Sequence, residues 1–126
     1  MFISKKSATL FAVAFLVLSG CEASADCAGR DFYVQLGTEK SAGREMNGDA
    51  CVIIPVNSPY MSDGSIYGAE IVSPPQHGTA TVIGRRQVQY RPQPGFKGQD
   101  SVTVGYIGKQ GGKAGMGKIH MTIIVR

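Results

Sequence analysis

Apolar residues in the second half of the chain recur at every other position. Ile119, Met121, Ile123 and Val125 fall on one side of an extended strand, with His120, Thr122 and Ile124 on the other. Val102, Val104 and Tyr106 alternate in the same way with Ser101 and Thr103, and Val88 and Tyr90 with Gln87, Gln89 and Arg91. Successive side chains of a strand point to opposite faces, so a period of two marks a sheet with one buried face. From Asp26 onward no stretch repeats apolar residues at i, i+3, i+4 and i+7, and the chain's 17 glycines and 6 prolines interrupt any long helix.

The remaining strands are read between turn signals. Asp31 to Leu36 and Cys51 to Val56 are candidates, the second apolar on both faces as a central strand is, with Pro55 placed at its end or at a bulge. Gly37 to Ala50 is polar and glycine-spaced and reads as a loop, and Asn57 to Ser65 is dense in turn residues. Ile66 to Ser73 is stopped by Pro74-Pro75, which cannot donate to a ladder. Thr79 to Ile83 and Gln87 to Arg91 form a hairpin around Gly84, with the spacing suggesting a type II′ turn. These segments amount to about seven short strands, the pattern of an all-β sandwich or barrel.

The N-terminus reads as an export signal: Lys5 and Lys6, an uncharged apolar run from Ala8 to Leu18, then small residues. A membrane-spanning helix needs roughly 20 apolar residues, so this run is too short to remain as an anchor. Two cleavage sites compete. Leu18-Ser19-Gly20-Cys21 resembles a bacterial lipobox, which would leave an acylated Cys21 at the start of the mature chain. Ala23-Ser24-Ala25 matches an A-x-A site, which would release a soluble protein. Residues 1–25 are therefore assigned to the signal and 26–126 to one domain. The expected location is the periplasm or an outer-membrane anchor, or the exterior if the chain is released.

Under either cleavage Cys27 and Cys51 remain as an even pair in an oxidising compartment, and a disulfide is expected. Such a bond is worth on the order of 3 kcal/mol in the chain-entropy model. Two cysteines with no histidine nearby in the sequence supply only half of a zinc site's four positions, so a metal site is the weaker alternative.

Charge is segregated along the chain. Residues 26–70 carry three bases and seven acids, a net of −4, whereas residues 71–126 carry eight bases and Asp100 alone, a net of +7. Arg85, Arg86, Arg91, Lys109, Lys113 and Lys118 are the candidate binding residues of the basic half. They are read either as plain solvated surface or as a patch for anionic envelope polymers or lipid headgroups. Nucleic acid does not fit, because aromatic residues do not interleave with the bases.

The stretch Pro74 to Val104 carries a recognisable pattern: Pro75, His77, Gly78 and Thr79, then Tyr90 and Pro92, then Gly95, Phe96, Gly98, Asp100 and Ser101. It resembles the bacterial immunoglobulin-like and cadherin-like domains of envelope and adhesive proteins. The resemblance implies an immunoglobulin-like β-sandwich and a non-enzymatic binding role. Gly78 is expected at positive φ, Tyr90 buried with its hydroxyl partnered, Phe96 plugging one end, and Asp100 with Ser101 capping a loop through backbone amides. Asn57 and Asp63 occupy the place where such domains carry calcium-binding aspartates, without the six to eight oxygens calcium takes. No cofactor or metal is expected.

His77 and His120 are the only histidines, and neither stands in a spacing that names a triad. Gly112 to Lys118 fits G-x-x-x-x-G-K, but Ile119 follows where a phosphate loop has Ser or Thr. The run Gly108 to Lys118 is expected instead to be a flexible basic hairpin loop. The expected function is an envelope binding or adhesion module that contacts protein or anionic glycan through loops and a basic surface. The alternative is an accessory subunit whose exposed strands pair with a larger envelope complex.

Overall fold

The structure is a computed structural model that describes residues 25–57 and 65–126. Cys21, the lipobox, the remainder of the export signal and most of the turn-rich segment after Asn57, with Asp63, lie outside the described residues. What is described is all-β. Ten strands run in chain order: β1 (Ala25–Asp26), β2 (Tyr33–Val34), β3 (Glu39–Met46), β4 (Cys51–Ile53), β5 (Val56–Asn57), β6 (Ser65–Ser73), β7 (Gly78–Ile83), β8 (Gln87–Pro92), β9 (Gly98–Gln110) and β10 (Lys113–Val125).

Two four-stranded mixed sheets, ordered β1-β4-β8-β7 and β3-β10-β9-β6, form the sandwich, and β2 pairs with β5 beside them. The core lies between the sheets. The alternating residues read from the sequence supply it: Val88 and Tyr90 from one sheet, and Val102, Val104, Tyr106, Ile119, Met121 and Ile123 from the other, each at most 2% exposed. Ile53 and Val34 complete it from β4 and β2. The disulfide joins Cys27 to Cys51 and ties the chain's entry to a strand paired on both sides.

Several expectations are corrected. Gly37 to Ala50 is not a loop but contains β3, which pairs in parallel with β10 from Lys118↔Glu39 to Val125↔Met46. Its inward positions are Lys40, Ala42, Arg44 and Met46, so two cations interrupt the apolar alternation that marks a strand. The run Gly108 to Lys118 is not a flexible loop either. The ladder between β9 and β10 continues out to Gln110↔Lys113, and only Gly111 and Gly112, both at positive φ, form the turn. Glycine is required within that ladder at Gly108, where a Cβ would collide with the Ser65 carbonyl of β6.

Gly78 is the third. It does not adopt positive φ; a Cβ there would lie 2.5 Å from the Arg91 carbonyl oxygen. Close approach of β7 to β8 selects the glycine, not a special dihedral. In addition, the strand expected over Asp31 to Leu36 shrinks to the two residues of β2, and the Gly84 hairpin closes through three residues between Ile83 and Gln87 rather than a two-residue turn.

Candidate binding surfaces

The two ends of the sandwich differ in chemistry. Ala25 at the start of β1 pairs with Cys51, opposite Tyr90 near the end of β8, and Val125 at the end of β10 pairs with Gly98. Both ends of the described domain therefore lie at one pole. At this pole the Asp100 carboxylate, only 4% exposed, accepts hydrogen bonds from the backbone amides of Gln76 (3.0 Å), His77 (3.1 Å) and Ser101 (2.9 Å) and from the Tyr90 hydroxyl (2.7 Å). Burial pushes the carboxyl pKa up, but the Tyr90 hydroxyl and the three amides outweigh it and hold it below the usual carboxylate range. Burial, followed by the Asp100 bond, raises Tyr90 far above an ordinary phenol. His77 stacks on Phe96 with ring centroids 4.5 Å apart and closes the pole. The motif residues Tyr90, Phe96 and Asp100 take the structural places expected of them.

The opposite pole carries cations. The β7–β8 turn holds Arg85 and Arg86, and Arg86 Nη1 donates to the Ile66 carbonyl at 3.3 Å. Ser65, the neighbour of Ile66, pairs with Lys109, and Lys113 pairs with Gln110 across the hairpin tip. Topology thus gathers Arg85, Arg86, Lys109 and Lys113 at one end. Arg91 is not among them: it lies on the outer face of the first sheet, since its neighbours Tyr90 and Val88 face the core. Lys118 lies on the outer face of the second sheet, paired with Glu39, and its charge helps lower that acid's pKa. Four of the six candidate basic residues form a cluster and two do not.

The acidic and basic halves of the chain also meet. Glu39 and Glu45 of β3 receive His120 at 2.9 Å and Arg126 at 3.1 Å from or beside β10. Thr103 Oγ1 bonds His120 Nδ1 at 3.0 Å, so hydroxyl, imidazole and carboxylate stand in line. The order is that of a nucleophile, a base and an orienting acid. The line lies across an exposed sheet face, and the His120 bond is the leading cause that lowers the Glu39 pKa.

A third region had no signal in the sequence. A groove of about 810 Å³ runs along β3 between that strand and the segment Ala28 to Tyr33. Arg44, 6% exposed, forms part of its wall. Its Nη1 donates to the carbonyls of Arg30 (2.6 Å) and Gly43 (2.8 Å), and its guanidinium sits 4.9 Å from the centre of the Phe32 ring. Phe32 in turn packs on Tyr106, with ring centroids 5.8 Å apart. Burial lowers the Arg44 pKa, and neither ion pair formed by the described residues includes it. Gly29 makes this arrangement possible, because a Cβ there would overlap the Arg44 guanidinium and the Gly43 carbonyl. The Tyr106 hydroxyl is buried and bonded to no other described group, and its pKa is raised by that burial.

Among the described residues no group of three or more His, Cys, Asp or Glu side chains stands close enough to hold a metal ion. Comparison with protein-family models, with curated proteins and with solved structures finds no match to this chain.

Proposed function

We propose that this protein is a non-enzymatic exported envelope module of the immunoglobulin-like kind, tethered through an acylated Cys21, that binds an anionic envelope polymer through its far pole. The observation that carries this reading is the gathering of Arg85, Arg86, Lys109 and Lys113 at the end opposite both Ala25 and Arg126. Only residues 22–24 separate Cys21 from the first strand residue. That tether reaches at most about 14 Å at roughly 3.5 Å per residue. A 13-residue strand is about 43 Å long. A lipid-anchored domain of this shape therefore carries its basic pole beyond the headgroups of its own bilayer, several Debye lengths away. The partner that fits is a polymer or protein surface standing off that membrane.

Ala25 also favours the lipobox over the A-x-A site. It pairs with Cys51 as half of β1, and cleavage after Ala25 would remove it from the sheet. The Thr103–His120–Glu39 line is read as surface pairing, because His120 and Glu39 are both solvent-exposed and none of the three residues lines the groove along β3.

Two experiments test the proposal. Metabolic labelling with a palmitate analogue marks the wild type and spares Cys21→Ala. Sedimentation with purified cell-wall or lipopolysaccharide preparations retains the protein at low salt and releases it as salt rises. Replacing Arg85, Arg86, Lys109 and Lys113 together by Gln abolishes that retention. Retention that survives the fourfold replacement, or that ignores salt, contradicts the assignment.

A further inference from the structure

Strand β3 is the edge of its sheet, and its backbone polarity can be worked out residue by residue. Lys118 N donates to Thr38 O and Arg126 N to Met46 O. Even-numbered residues of this strand therefore turn their backbone groups toward β10, and odd-numbered residues turn theirs away. On the outward side Glu45 exchanges both of its bonds with Ala28, at 2.8 and 2.9 Å, and the Gly43 carbonyl is taken by Arg44. Glu39, Ser41 and the Gly43 N–H have no backbone partner on that side among the described residues. The groove of about 810 Å³ lies against this open stretch.

Among the devices that blunt an edge in natural sheets are covering it and turning charges inward. Both occur here, but incompletely. Ala28 covers one end of β3 only, and at the inward positions Lys40 and Arg44 line the groove, Arg44 within the field of Asp31 but in ion-pair contact with no carboxylate of the described residues. Around the groove, Arg30, Lys40 and Arg44 stand against Asp31 and Glu45, and Glu45 is already engaged by Arg126 at 3.1 Å. A buried guanidinium is stabilised when a carboxylate meets its remaining donors in forked geometry.

We infer that the edge of β3 from Glu39 to Gly43 is a docking site for an extended peptide of a protein partner, added as a further strand, with an acidic side chain of that peptide reaching Arg44. The incoming main chain pairs with the outward groups of Glu39, Ser41 and Gly43, and alternate side chains enter the groove beside Phe32 and Ala42. Main-chain bonds supply the sequence-independent part of recognition, and Arg44 supplies the preference for a carboxylate.

The test uses nine-residue peptides of alternating Thr and Val with one Glu walked through the inward positions, each beside its Gln counterpart. Binding is followed by amide shifts of the isotope-labelled domain. The best Glu peptide is expected to shift Glu39, Ser41 and Gly43 most and to bind about tenfold more tightly than its Gln twin. Ser41→Pro removes an N–H that points away from β10 and is tolerated on an edge strand. It should abolish binding while the remaining spectrum stays native. Arg44→Gln should keep the shifts and erase the Glu–Gln difference. Three results overturn the inference: no peptide perturbs the edge at millimolar concentration, Ser41→Pro binds as the wild type does, or the edge is occupied by a second copy, seen as a dimer that Ser41→Pro dissociates. Since the basic pole is not involved, retention on cell-wall material is unaffected by either substitution.

Discussion

Asp100 and Arg44 are buried to nearly the same degree, 4% and 6% exposed, yet they are treated in opposite ways. The Asp100 carboxylate receives four donors from three separate segments and is fully committed to the fold. The Arg44 guanidinium donates to two carbonyls and lies over an aromatic face, and Asp31 acts on it only through its field, with no carboxylate of the described residues in ion-pair contact. A buried charge is costly unless paired and hydrogen-bonded. The first is therefore a knot that holds one pole of the sandwich together, and the second is a cation held ready along an open strand.

The sharpest way to break this contrast is to remove the charges. Asp100→Ala strands the Tyr90 hydroxyl and the turn amides at once and should cost about 3–5 kcal/mol in denaturant unfolding. A smaller cost would mean the pole is held by packing instead. The double replacement of Cys27 and Cys51 by Ser should cost about 3 kcal/mol, read in the same assay. Arg44→Met, by contrast, should leave stability within about 1 kcal/mol of the wild type or raise it, as replacement of a buried charge by an apolar side chain of similar volume often does. If Arg44→Met were as damaging as Asp100→Ala, the two regions would be alike.

Acid sharpens the comparison further. The folded carboxyl of Asp100 is held below its unfolded value of about 3.9. Its contribution is thus present in full above that value and is lost as pH falls through the folded pKa. Stability should decline below about pH 4, and Asp100→Asn should flatten that decline, whereas Arg44→Gln should leave it unchanged. The smallest effect belongs to the exposed line of Thr103, His120 and Glu39. His120→Ala should leave the unfolding midpoint unmoved within error, because both partners of its ion pair are solvent-screened.

The same pair of residues explains what the sequence discloses. Asp100 lies in a stretch where Tyr90, Phe96 and the alternating valines all agree with one fold, so its capping role was legible in the local pattern. Arg44 lies in Glu39 to Met46, where cations occupy inward positions and only Ala42 and Met46 follow strand alternation. An edge strand that faces a groove need not be apolar, and a periodicity argument passes over it. The glycine-rich run at the hairpin tip misleads for a related reason. Its glycines are selected by close approach of the Ser65 carbonyl at Gly108 and of the Gln35 carbonyl at Gly117, and by positive φ at Gly111 and Gly112, and without side chains they show no alternation to read. The grouping of Arg85 and Arg86 with Lys109 and Lys113 is visible only in the strand register, since more than twenty residues of chain separate the two pairs.

Amide hydrogen exchange along β3 tests the central contrast most directly. The account predicts rapid exchange at Glu39, Ser41 and Gly43, which point away from β10, and protection at Lys40, Ala42, Arg44 and Glu45, which are bonded to β10 or to Ala28. Uniform protection from Glu39 to Glu45 would show that the edge is already covered, and would contradict the reading of Arg44 as a cation awaiting a partner.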